Sequence, residues 1–254
     1  MDENIRGRLF QLSEEEYRKF SSALTPGETQ MLGVRLPELR MIAKEIAKGD
    51  FEKNLYSEST YFEEKMLKGM IIGYATMKDK TADRAFAYLE GFISEIDNWS
   101  VCDSFCNTFK VARNDLENSW NHIQKYLISN EEFEVRTGLI LILNHFIKCD
   151  INGKRISRLK KVELEDLEKK LKAGLFEDRI VCVLNREFNE GYYSKMAAAW
   201  TIAEMFVTFP KTTYELLLDN KIDDETFNKA IQKICESLTP SKEVKDKVRA
   251  LKRK

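Results

Sequence analysis

The chain is poor in the residues that punctuate a β-rich fold. Only 4 of its 254 residues are proline. These are Pro26, Pro37, Pro210 and Pro240, so no proline interrupts residues 38–209. That disfavours a many-stranded sandwich, whose turns need frequent Pro and Gly, and favours packed helices. Imidazoles are scarce as well: His122 and His145 are the two histidines, and the five cysteines form no C-x-x-C pair. A zinc site is therefore not expected, and an odd cysteine count fits no simple disulfide framework. Cys102, Cys106, Cys149, Cys182 and Cys235 read as small core residues of a reduced, cytoplasmic protein. No apolar run reaches 18 residues, so no membrane span is expected. The opening MDENIRGRLF lacks the apolar stretch of a signal peptide. A formal net charge of −1 and a pI near 6.3 exclude a uniformly basic coat but not a local basic patch. Walker, GxGxxG, GxSxG and HExxH motifs are all absent, which removes the usual support for nucleotide, dinucleotide, esterase and zinc-peptidase readings.

What is present is an ordinary globular mixture, 43% hydrophobic and 11% aromatic, with helical periodicity almost throughout. Ser13 with Glu16, and Thr60 with Glu63, have capping-box spacing ahead of apolar runs. Pro37 suits a first helical turn and Gly49 a stop. Further helices are expected over 80–93, 98–110, 114–128, 131–148, 162–172, 176–188, 192–207, 211–219, 224–238 and 242–252. Asp97 or Asn98 can cap the second of these, and Asn130 the fourth. Gly69 and Gly73, one turn apart, predict close approach of a neighbouring helix. Apolar helices recur from Phe62, Asn98, Phe133, Tyr192 and Asn228, about 35 residues apart except across 148–191, where an additional pair fits. The expected fold is all-α, a curved solenoid of HEAT/ARM-like helix pairs, with residues 1–254 forming a single domain.

Three segments hold side chains that helix packing alone does not require. In IDNWSVCDSF (96–105), Trp99 and Asp103 are four apart and share a helix face. A carboxylate beside an indole is a costly neighbour in a pure core, although Asp103 also suits a cap or a partner for an arginine. In FEVRTGLILILNHF (133–146), Arg136 stands in the first turn of an apolar helix. It suits either an ion pair with an acid such as Glu132 or a clamp on a phosphate or carboxylate. In YYSKMAAAWTIAEMF (192–206), three alanines precede Trp200, with Lys195 and Glu204 on the same helix. Such spacing suits an indole set in a cleft, or plain core packing. Cations cluster in GKRISRLKK (153–161), which carries Lys154, Arg155, Arg158, Lys160 and Lys161 and no acid. They cluster again from Asn228 to Lys254. In a nearly neutral chain these read either as solvated faces or as an edge for a phosphate backbone, with salt-dependent binding.

Together, EKMLKGMIIGY (64–74), DNWSVCDSF (97–105), EVRTGLIL (134–141) and KMAAAW (195–200) resemble the AlkD-like DNA alkylation repair proteins, HEAT-like-repeat DNA glycosylases. The resemblance runs from about Leu32 to Arg253. It implies excision of cationic N3- and N7-alkylpurines from double-stranded DNA, without a metal or organic cofactor and without a membrane, by a monomer. It further implies that Asp103 is the catalytic aspartate, that Trp99 and Trp200 are the cleft tryptophans, and that Arg136 binds the DNA backbone. Lys154, Arg155, Arg158 and Lys195 are the further DNA-binding candidates. One departure stands out. Active relatives carry an aromatic in the N-terminal helices, whereas residues 23–40 here contain none, with Glu28, Gln30 and Met31 near that place. The residues leave two alternatives: a non-catalytic HEAT-type DNA-binding module, and a protein-interaction solenoid.

Overall fold

The computed structural model describes residues 1–25, 27, 30–170 and 173–254; Pro26, Glu28 and the last two residues of the helix expected over 162–172 lie outside them. Among the described residues there are fourteen α-helices and no strands. They fall into two compact units, Met1–His122 and Ile123–Lys254.

The first unit holds α1 (Glu3–Gln11), α2 (Glu15–Leu24), α3 (Leu36–Ile46), the short α4 (Glu52–Leu55), α5 (Phe62–Ala75), α6 (Asp83–Phe92), α7 (Trp99–Thr108) and the start of α8 (Leu116–Leu127). Helix α5 packs against both α3 and α7. It is consequently buried on nearly every face, from Phe62 to Gly73. The glycine pair does what its spacing predicts. A Cβ on Gly73 would lie 2.7 Å from the backbone carbonyl of Thr108, and one on Gly69 would lie 3.0 Å from Phe105 Cβ. The missing side chains therefore set the distance between α5 and α7. Charges buried on α5 are matched. Lys68 donates to Glu95 at 2.6 Å and to Ser57 O. The carboxylate of Glu63 accepts the amides of Leu32, Gly33 and Val34 at 2.7–3.2 Å.

The second unit holds the rest of α8, then α9 (Glu132–Leu141), which runs into a π-helical turn (Ile142–Phe146). α10 (Glu177–Leu184), α11 (Tyr192–Phe206), α12 (Pro210–Leu218), α13 (Asp224–Glu236) and α14 (Lys242–Arg249) follow. Here α11 is the helix packed on two sides, by α9 and by α13. Its alanines at 197–199 are fully buried and allow that double packing.

Several expectations shift. The Ser13 capping box does not form: Ser13 Oγ donates back to Phe10 O, and α2 starts at Glu15 without a side-chain cap. The second box moves by one residue, because Glu64 accepts the Thr60 and Tyr61 amides while Glu63 is drawn to residues 32–34. Glu131, not Asn130, precedes α9. The expected 162–172 helix reduces, among the described residues, to a 3-10 turn at Leu164–Leu167. Cys102, Cys106 and Cys149 are buried and Cys235 half-buried, but Cys182 lies on the exposed face of α10; none of the five is in a disulfide. No helix among the described residues is long and apolar enough to cross a membrane.

Candidate functional site

In the first unit the site residues are set by the start of α7. Asn98 adopts extended backbone, and its Oδ1 accepts the amides of Ser100 and Val101, both at 3.0 Å. This cap fixes the first turn, on which Trp99 stands. Trp99 Nε1 donates to Leu24 O at 2.9 Å, so the indole also satisfies a last-turn carbonyl of α2. One turn on, Asp103 is half-buried between the buried Cys102 and Ser104. Beneath them α7 is locked to α5 by the Gly73 approach and by Ser104 Oγ, 3.2 Å from Met66 Sδ. The first unit thus holds an indole and a half-buried carboxylate on one face of a rigid helix.

In the second unit Arg136 is only 5% exposed. Its Nη1 donates to Tyr193 O at 3.0 Å, and its guanidinium carbon lies 6.0 Å from the Tyr193 ring centroid. Glu132 accepts the Tyr193 amide and sits where a Cβ on Gly191 would clash. Arg136 and Glu132 therefore both fasten α9 to the first turn of α11. Lys195, on the next turn, reaches Glu225 at 2.7 Å and Asp223 at 3.6 Å. The hydrogen bond to Glu225 holds its ammonium above the ordinary lysine range. Trp200 differs from its neighbours along the later turns of α11. It is 41% exposed, while every other residue of α11 from Ala197 onward is buried. An exposed indole on a buried helix is an informative exception.

Trp200 lines a recess of about 520 Å³ with Arg158, Glu204, Lys233 and Leu238 among its neighbours. Arg158 belongs to the basic loop that follows the π turn, and backbone bonds hold that loop in place. Asp150 N donates to Lys154 O at 2.8 Å, Ile156 N to Lys148 O at 2.9 Å and Leu159 N to Val207 O at 2.9 Å. Gly153, at φ +74°, makes the turn after Asn152. Lys154, Arg155 and Arg158 are all exposed on this loop. A second recess of about 470 Å³ is lined by Lys148, Arg155, Ile156, Ser157 and Arg158, with no acid in its wall.

Of the sequence candidates, Trp99 and Asp103 belong to the first unit, and Arg136, Lys154, Arg155, Arg158, Lys195 and Trp200 to the second. Two cations lining the recesses, Lys148 and Lys233, were not singled out from sequence. Lys148 stands at the end of an apolar run, and its ion-pair partner Glu204 lies 56 residues later in the chain.

The molecule is thus an all-helical protein that displays an indole with a half-buried carboxylate on one packed helix and an indole beside fixed cations on another. A family model described as DNA alkylation repair enzyme matches residues 5–174, well over half of the sequence, and the chain belongs to that family. The match contains Trp99, Asp103, Arg136 and the basic loop and ends before Lys195 and Trp200. No curated protein matches the chain. Membership points to a role in alkylation repair, with DNA as the partner.

Proposed function

We propose that the protein is a monofunctional DNA glycosylase that hydrolyses the N-glycosidic bond of N3- and N7-alkylated purines and leaves an abasic site. The observation that carries this reading is Asp103, a half-buried carboxylate one helical turn from Trp99 on a helix held from below by α5. An alkylated purine of this class is already cationic and departs without a strong general acid. What remains is to stabilise an oxocarbenium-like sugar and to orient water. A fixed negative charge where positive charge develops serves that purpose, and Asp103 is assigned this role. The indole faces of Trp99 and Trp200 favour cationic groups and exclude bulk water. Arg136, Lys154, Arg155, Arg158 and Lys195 are assigned to backbone phosphates, with Lys195 exchanging Glu225 for its phosphate. No lysine is assigned as a Schiff-base nucleophile, so no strand cleavage accompanies base release, and no cofactor enters the scheme.

The same reading makes the helices of each unit HEAT-type pairs of a solenoid. It is supported by the way the apolar helices pack in succession, α3 on α5 on α7 and α9 on α11 on α13. It also takes the protein to be a cytoplasmic monomer. Incubation with duplex DNA bearing 7-methylguanine or 3-methyladenine tests the activity: free alkylated base is released and the strand stays intact until the abasic site is cleaved chemically. Tight DNA binding with no released base favours the non-catalytic module instead, a reading that the cation-rich loop supports.

A further inference from the structure

Glu204 is a buried carboxylate that the proposed reaction does not use. It lies one turn beyond Trp200 on α11, is 7% exposed, and faces two cations from outside its own helix. Its Oε1 is 3.1 Å from Lys148 Nζ, without the alignment of a hydrogen bond, and its Oε2 is 3.3 Å from Arg158 Nη1. Both cations reach beyond this contact. The Arg158 side chain is 53% exposed, and Lys148 and Arg158 are two of the three cations in the wall of the acid-free recess, with Arg155 the third. Glu204 itself is not in that wall. The arrangement is a buried acid behind two cations whose outer faces converge on a space with no competing carboxylate.

We propose that Glu204 is a positioning residue for phosphate recognition: it holds Lys148 and Arg158 so that, with Arg155, they form a preset seat for one DNA backbone phosphate. The proposal rests on the DNA-binding reading given above and names the seat within it. A guanidinium has five donors in a rigid fork, so one edge can stay on a carboxylate while another meets a phosphate oxygen. Fixing the fork beforehand removes ordering cost at binding. The basic loop is already fastened by backbone bonds to Lys148 and Val207, so its cations are placed by main chain and by Glu204 together.

The test exploits a conflict of sign. By net charge alone, Glu204→Gln removes a negative charge beside cations and should tighten DNA binding and steepen its salt dependence. If Glu204 positions the cations, the same change loosens them and weakens binding. Affinity for a short unmodified fluorescein-labelled duplex is measured by anisotropy over a salt series, which needs no glycosylase activity. Arg158→Ala is expected to lose about one phosphate contact, lowering the slope of log K against log salt by roughly 0.9. Glu204→Gln is expected to weaken binding by about threefold to tenfold, with a shallower slope, and to add little in the Arg158→Ala background. Glu204→Asp, which keeps the charge, is expected to recover part of the loss. Tighter or unchanged binding by a folded Glu204→Gln protein overturns the proposal while leaving the DNA-binding reading intact. If Glu204→Gln does not fold, Arg158→Lys decides, because it keeps the charge and loses the fork. Weakening of threefold or more supports the seat, and wild-type affinity overturns it. No duplex binding by wild-type protein at low salt overturns the DNA-binding reading and the proposal together.

Discussion

Replacing Gly73 by Ala should damage the protein in a way that the same substitution at Gly91 does not. At Gly73 the added Cβ would sit 2.7 Å from the carbonyl carbon and oxygen of Thr108, about 0.7 Å inside ordinary van der Waals contact. The obstacle is backbone, so no rotamer change relieves it, and α5 and α7 must separate. Overpacking of this kind costs about 1–3 kcal/mol, and an unyielding neighbour places it near the upper end. Alanine returns about 1 kcal/mol through its better helix propensity, leaving a net loss near 2 kcal/mol. Gly91, on α6, meets nothing within 4 Å, so there the propensity gain stands alone at about 0.5–1 kcal/mol. At about 2–4 °C per kcal/mol for a chain of this size, Gly73→Ala should lower Tm by about 4–8 °C and Gly91→Ala should raise it slightly. The functional loss should exceed the stability loss. Helix α7 carries Trp99 and Asp103, and misplacement of a reacting group by about 1 Å can cost 100-fold in rate. Well below its Tm, Gly73→Ala should therefore release alkylated base at least tenfold more slowly than wild type. Thermal melts monitored by circular dichroism, with single-turnover kinetics at the lower temperature, test both parts. A Gly73→Ala protein as stable and as fast as wild type would refute the idea that the glycine approach sets the α7 site.

Other perturbations have equally definite outcomes. Arg136→Ala should destabilise by about 1–3 kcal/mol, because it removes the bond to Tyr193 O and the buried side chain that fasten α9 to α11, and denaturant titration should show this even without DNA. Trp99→Phe keeps an aromatic face but removes the donor to Leu24 O, so hydrogen exchange should accelerate in the last turn of α2 and not in α5. Hydrogen bonds from Asn118, His122 and Thr81 hold the Asp83 carboxyl at about 2, below its ordinary 3.8. The folded value is the lower one, so this contribution is complete above pH 4 and is lost as pH falls toward 2. Asp83→Asn should flatten that part of the stability–pH curve and leave the neutral region nearly parallel to wild type. Duplex affinity should fall steeply with salt and vary little with undamaged sequence, as expected of phosphate contacts; strong preference for one undamaged sequence would contradict it.

The elements that sequence reading recovers are those whose cause is local. Asn98 caps α7 because the acceptor and the amides it meets lie within three residues. The Gly69–Gly73 spacing is a property of one helix, and so is the apolar character of α5 and α11 that marks them as doubly packed. The Trp99–Asp103 face follows from helical periodicity alone. What escaped depends on partners distant in sequence. Ser13 satisfies capping-box spacing, yet Gly33 O takes the Glu14 amide and α2 begins one residue late. Glu63 has the right offset from Thr60, but three amides at 32–34 bind its carboxylate and leave the capping to Glu64. Helix α1 gives only a weakly apolar pattern, and its place is fixed by Arg6 on Glu64 and Arg8 on Glu45. The basic run 153–161 reads as acid-free, but its Arg158 finds Glu204 from another element.

The proposed chemistry requires Asp103 to supply charge to a departing base. Asp103→Asn keeps size and polarity and removes the negative charge. The decisive measurement is single-turnover release of 7-methylguanine from duplex DNA at saturating protein, for wild type and Asp103→Asn, with Tm and DNA affinity matched. Wild type should release base measurably and the variant about 10²–10³-fold more slowly, the usual loss of one preorganised electrostatic group. Equal rates would remove Asp103 from the chemistry. No release by wild type at full DNA occupancy would contradict the glycosylase assignment itself.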